Sequence, residues 1–221
     1  MLEVFIHLYG NGRFVSVQIQ HVQNHSRVSD EQVMVIKRSD LFVEADWQGI
    51  LKTGIEPYIE RIKSAHTFLP RSLMEQDPHY KQIIPYLIFI YENRYFLMQR
   101  QSHASEQRLR NKMSMGIGGH LRQEDIQGGD FFAWAQREFN EEVDYAGGLS
   151  INVLGLINDD SNAVGQVHVG LVMVLTGSNS YISVKSELKS GSLVSLDECF
   201  QHYDSLESWS QIVVDALRDL V

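Results

Sequence analysis

The stretch IIPYLIFIY-EN-RYFLMQR, residues 83–100, constrains the fold more than any other part of the chain. Two hydrophobic runs of strand length flank Glu92-Asn93, and such runs separated by two turn-forming residues read as a β-hairpin. This hairpin is expected to open the main domain, from about residue 82. The 221 residues are 43% hydrophobic and 21% charged with four prolines, so a sizeable core can be buried in one large domain, or in one domain plus an extension.

The segment before it reads as an extension, residues 1–81. LEVFIHLY and FVSVQIQ flank Gly10-Asn11-Gly12 and predict a first hairpin. An isolated two-stranded hairpin is marginally stable, so this one is expected to join the sheet or to pair with a second subunit, making a homodimer. The polar link HVQNHSRVSD follows, then a short strand QVMVIK. A helix is predicted from about Trp47 to Ala65, with Ile55, Ile59 and Ile62 at helical spacing and Pro70 closing the segment.

Beyond the central hairpin, strands are expected near Met113–Ile117, Ile151–Ile157, Val167–Leu175 and in YISV, with helices through REFNEE, over Leu196–His202 and from about Ser205 to Leu220. Strands and helices do not alternate regularly enough for a doubly wound parallel sheet. The expected class is α/β of the α+β type, a mixed sheet with helices packed on its faces.

Charge and cysteine usage narrow the function. A net charge of −9 and a pI near 5.4 argue against duplex nucleic acid or an anionic membrane as partner, because both are bound through lysine and arginine. An anionic substrate then needs a local basic patch or a metal. The lone Cys199 excludes an internal disulfide framework and a cysteine-based zinc cluster, and fits a reducing compartment. The start of the chain reads as neither signal peptide nor membrane span, so a cytoplasmic location is expected.

The segment REFNEE, residues 137–142, sets three more carboxylates beside one arginine. Asp130 suits an N-cap and Gly147 a stop. Between them Phe132, Ala135, Phe139 and Val143 form a core stripe. On such a helix Glu138, Glu141 and Glu142 fall within an arc of roughly 100°, where like charges repel by some tenths of a kcal/mol per pair. A divalent cation turns that repulsion into coordination, and magnesium suits hard oxygen ligands. The cluster alone leaves both a metal site and a solvated acidic face open. About twenty residues earlier, MGIGGHL places two glycines after an apolar strand, where the backbone can approach a ligand closely.

Gly-Gly, a loop, then Arg-Glu-x-x-Glu-Glu on a helix resembles the signature box of the Nudix hydrolases, and the resemblance covers roughly residues 82–221, with YKQIIPY, GIGGH and NDDSN as further stretches of that kind. Gly119 fits the opening glycine. Asp125 stands where the box has glutamate, eleven residues rather than seven separate it from Arg137, and Asp144 replaces the late glycine. Because of that insertion, a carboxylate at Asp125 is not assumed to reach the cluster.

The resemblance implies a mixed sheet sandwiched between helices and hydrolysis of a nucleoside diphosphate linked to another moiety, a small-molecule substrate. It implies Mg²⁺, with Mn²⁺ as the alternative cation, held by Glu138, Glu141, Glu142 and the carbonyl of Gly118. Arg137 is expected to hold Glu141 or its neighbours in place, with Glu138 or a distal carboxylate such as Glu187 in the catalytic set. Asp159 and Asp160 in NDDSN favour turn chemistry, and His168 reads as a packed strand histidine. The basic loop carrying Arg100, Arg108, Arg110 and Lys112 leaves phosphate contact and simple solvation both open. The altered front of the box keeps a catalytically silent Nudix module as the alternative. A Nudix-fold isomerase needs a thiol near the box, and Cys199 lies far from it in sequence.

Overall fold

A computed structural model describes residues 4–7, 16–19, 30–100, 112–126, 131–185 and 188–219. The chain divides into two units, Met1–Asp30 and Glu31–Val221. In the first, β1 (Val4–His7) and β2 (Ser16–Ile19) pair antiparallel from Val4↔Ile19 to His7↔Ser16. The Gly10-Asn11-Gly12 turn expected between them lies outside the described residues.

The second unit runs β3 (Gln32–Lys37), α1 (Arg38–Leu41), β4 (Gly49–Leu51), α2 (Glu56–Ala65), β5 (Thr67–Pro70), α3 (Arg71–Met74), β6 (Tyr80–Tyr91), β7 (Arg94–Arg100), β8 (Met113–Ser114) and β9 (Gly116–Gly118). It continues with α4 (Phe131–Glu142), β10 (Val143–Tyr145), β11 (Leu149–Asn158), α5 (Ala163–Val167), β12 (His168–Gly177), β13 (Ile182–Val184), β14 (Leu188–Val194), α6 (Leu196–Gln201) and α7 (Ser208–Arg218). The main sheet has the order β14-β7-β6-β12-β11-β4, with β3 and β9 also on β6, β5 on β3 and β8 on β7. The central hairpin forms as its sequence predicts: Glu92 and Asn93 take φ of 47° and 60°, the left-handed values that a two-residue hairpin turn requires.

β6 organises both layers. It runs parallel to β12 from Gln82 to Ile90 and antiparallel to β3, β7 and β9, which makes the sheet mixed. Because strand side chains alternate between faces, Ile83, Leu87 and Phe89 enter one core with Trp134, Ala135 and Phe139 of α4. Tyr86 and Ile88 enter the other with Cys199, Leu206, Val213 and Val214 from the C-terminal helices. Phe89 and Phe139 stack at 5.6 Å with their planes 16° apart, so this contact fixes the rotation of α4 on the sheet.

Three expected boundaries shift, each for a local reason. The helix expected from Trp47 begins only at Glu56: Gly49 and Gly54 take φ of 88° and 66°, and β4 pairs with β11 at Leu51↔Leu156. α4 ends at Glu142 rather than at Gly147, because Val143 is buried and pairs with Val184 of β13. The last helix starts at Ser208, after a 3₁₀ turn over Tyr203–Ser205. Asp130, the expected N-cap of α4, lies outside the described residues, as does Leu220. Among the described residues no helix is long and apolar enough to cross a membrane.

Phe139→Ala removes the ring that α4 stacks on β6. It is expected to cost about 3–5 kcal/mol, read as a fall in melting temperature on the order of 10 °C in a thermal unfolding scan.

Candidate active site

With Phe139, Trp134 and Ala135 turned into the core, the helical period brings Glu138 to the edge of α4 that meets the loop after β9. The approach is close. A Cβ built on Gly119 would lie 2.1 Å from Glu138 Oε1, so a larger residue there would push that carboxylate aside. The loop is held from the N-terminal side of the sheet, where Met34 donates its backbone N–H to the Leu121 carbonyl at 2.7 Å.

Arg137 sits between carboxylates. Its Nη1 lies 2.5 Å from Glu141 Oε1, its Nη2 2.5 Å from Asp125 Oδ1, and Glu138 Oε2 is 4.0 Å away. Asp125, in the 3₁₀ turn Gln123–Ile126, also accepts the backbone N–H of Arg122 at 2.9 Å. The carboxylate that was not assumed to reach the cluster therefore does reach it, through Arg137.

Glu138, Glu142, Gly118 and Gly119 line a cavity of about 710 Å³. Arg71, Lys112 and Arg122 line it too, as do Glu207 and Trp209 at the start of α7. Glu141 is exposed beside Arg137 and is not among the lining residues. The Glu138 carboxyl is pushed up to about 7, first by burial and then by the charges of Glu141 and Glu142, against the opposing pull of Arg137. An ion of two positive charges relieves both effects, and the donor set of carboxylates with a backbone carbonyl from Gly118 is all hard oxygen. These residues fit magnesium or manganese.

The remaining sequence candidates separate clearly. Asp159 accepts from the Ser161 hydroxyl at 2.6 Å, the Ser161 backbone N–H at 3.2 Å and the Asn162 amide at 3.1 Å within its turn, and from the distant Gln48 amide at 2.8 Å. Asp160 pairs with Arg38 and, at 2.7 Å, with the fully buried Lys81, which holds its carboxyl below the usual range despite partial burial. Glu187, Arg108 and Arg110 lie outside the described residues; Lys112 is the member of the basic loop found at the cavity. His168 is buried at the start of β12 as a packed strand residue, and it also lines the cavity. Cys199 is buried in the core with the C-terminal helices and is not among the residues that line the cavity, and burial pushes its thiol up to about 12.

Sequence reasoning missed His120, Arg71, Arg122, Glu207 and Trp209. His120 and Arg122 had a usable signal, because they follow the two glycines within three residues; Arg71, Glu207 and Trp209 meet the site only through distant folding.

No family model matches the chain. Protein YmaB of Bacillus subtilis (strain 168) is 35% identical over 205 residues, covering 86% of this chain and 98% of that protein. The crystal structure of Tm1382, provisionally assigned as a Nudix hydrolase, superposes with a TM-score of 0.73 at 28% identity, over 86% of this chain and 100% of that one. This chain belongs to the Nudix hydrolase family. The NUDIX domain of Shewanella oneidensis NrtR, solved with ADP ribose, shares 13% identity and a TM-score of 0.50 over 63% of this chain and 87% of that one, a likeness of fold alone. As a member of that family, this chain is a Nudix-type pyrophosphohydrolase.

The raised Glu138 carboxyl gives a pH test. Its value in the fold, about 7, lies above the unfolded value, so its contribution to stability is full at low pH and is lost as pH rises through 7. In chelator, Glu138→Gln should leave the melting temperature unchanged near pH 5 and raise it by roughly 2–6 °C near pH 8. Equal shifts at both pH values would show that Glu138 does not titrate in this range.

Proposed function

We propose that the chain hydrolyses a nucleoside diphosphate linked to another moiety, with water attacking a phosphorus of the pyrophosphate in a Mg²⁺-dependent reaction. The observation that carries this reading is the mixed lining of one cavity: the carboxylates of Glu138 and Glu142 share it with Arg71, Lys112 and Arg122. A protein with a net charge of −9 needs such a local concentration of cations to receive a pyrophosphate.

Glu138, Glu141, Glu142 and the carbonyl of Gly118 are the proposed cation ligands. When bound, the cation stabilises charge developing on the phosphoryl oxygens and the leaving group. Arg137 is a positioning residue. Its guanidinium spans Asp125 and Glu141, so the acidic edge of α4 is held in one arrangement by charge-assisted hydrogen bonds. Proton removal from the attacking water falls to Glu138 or to Glu187, from the segment before β14. Arg71, Arg122 and Lys112 bind and orient the phosphates. Trp209 offers a ring face on which a nucleobase can stack. The catalytically silent alternative rested on the altered front of the box, and the Asp125–Arg137 pair weakens that argument. The Nudix domain is proposed to span residues 82–221, with the preceding strands supporting the loop after β9.

The test is phosphate release from a panel of nucleoside diphosphate derivatives, ADP ribose among them, with and without Mg²⁺. On the best substrate, Glu142→Gln should lower kcat by roughly 10²–10⁴-fold, about 3–5 kcal/mol of transition-state stabilisation, and Glu141→Gln should also impair turnover, with the circular dichroism spectrum unchanged in both. Asp125→Asn acts only through Arg137 and should cost less than about tenfold. Near wild-type turnover in both glutamate variants would remove the proposed metal site.

A further inference from the structure

Two histidines that line the cavity, with a glutamate near them, form a second group of side chains of metal-ligating type apart from the carboxylate cluster. His168, 6% exposed at the start of β12, donates its ring Nδ1–H to the Val164 carbonyl at 2.7 Å. This bond fixes the tautomer and leaves the lone pair on Nε2. That Nε2 lies 3.4 Å from Nε2 of His120, with the two rings 5.5 Å apart and inclined at 62°. Glu75, following α3, brings Oε1 to 3.9 Å from His120 Nε2, and the three ligand atoms all lie within 4.8 Å of one another.

The spacing between the two nitrogens is informative. A good N–H···N bond closes to about 3 Å. Two imidazole nitrogens on one tetrahedral zinc, each about 2.0–2.1 Å from the ion, stand about 3.3–3.4 Å apart. The observed 3.4 Å matches the second geometry. The Glu75 carboxylate has to close only a short remaining distance. Its present partner, Arg71 Nε at 3.1 Å, keeps a second carboxylate in Glu31 at 3.0 Å, so the shift strands no charge. The Val164 carbonyl behind His168 is the outer-shell acceptor that ligating histidines commonly have.

We infer that His120, His168 and Glu75 form a site for a borderline transition-metal dication of the Zn²⁺ class, distinct from the all-oxygen cluster on α4. Two imidazoles and one carboxylate make the three-ligand pattern of zinc sites that keep a fourth position open, and both histidines line the cavity. Nitrogen ligands separate the two sites chemically: imidazole favours zinc, whereas carboxylate and carbonyl oxygens favour magnesium. The ion would sit beside the carboxylate cluster, since His120 directly follows Gly119, and its open position suits an anionic oxygen of the substrate.

The experiment is calorimetric titration of ZnCl₂ into the chelator-treated, dialysed full chain, in buffer holding excess Mg²⁺. One Zn²⁺ per chain is expected, and the Glu138→Gln/Glu142→Gln double variant should retain it. The affinity should fall by about 100-fold or more in His120→Gln and His168→Gln, and by about tenfold in Glu75→Gln. If buried His168 cannot be replaced without unfolding, the more accessible His120 and Glu75 still decide the matter. Three outcomes overturn the inference: no Zn²⁺ bound at micromolar concentration, unchanged affinity in His120→Gln, or binding abolished in the glutamate double variant. The last would assign the zinc to α4 and leave the histidines as a hydrogen-bonded pair only.

Discussion

Burial of β6 on both faces is the constraint on which the rest of the molecule depends. A twelve-residue strand whose alternate side chains enter two separate cores has to be covered above and below. α4 covers one face and the C-terminal helices the other. The same strand pairs with β12, β3, β7 and β9, so its position fixes the origin of nearly every segment that reaches the cavity. β9 leads into the glycine loop, β12 begins with His168, and Arg71 and Glu75 follow from β5, which reaches β6 through β3.

On that frame the site is an arrangement of opposed charges at close quarters. Glu138, Glu141 and Glu142 are neighbours by helical geometry and repel one another. Arg137 offsets part of that repulsion by spanning Asp125 and Glu141. Glu138 remains, close against Gly119, with its carboxyl raised toward neutrality. Burial and the neighbouring charges both disfavour the ionised form of such a group.

The helix carrying the acidic cluster, the central hairpin and the mixed character of the sheet were legible in the sequence, because each is encoded by near neighbours: periodicity for α4, turn residues for Glu92-Asn93, irregular alternation for the sheet. The Arg137–Glu141 pair was legible for the same reason, being one helical turn apart. The helix expected from Trp47 was overextended because apolar spacing carries no notice that Gly49 and Gly54 take left-handed backbone values or that β4 has a partner more than a hundred residues away.

The sequence by itself determined which carboxylates share a helix face and that two glycines precede them, since both follow from the 3.6-residue period and from glycine's missing side chain. Only the tertiary structure decided what stands opposite. Arg71 and Glu75 come to the cavity region from α3, Trp209 from α7 and His168 from β12, elements joined by strand pairing and core packing over separations that no local pattern records. Asp125 shows both sides: its place in the motif was readable, but its pairing with Arg137 was not, because that depends on where the packing of Phe139 on Phe89 sets the helix.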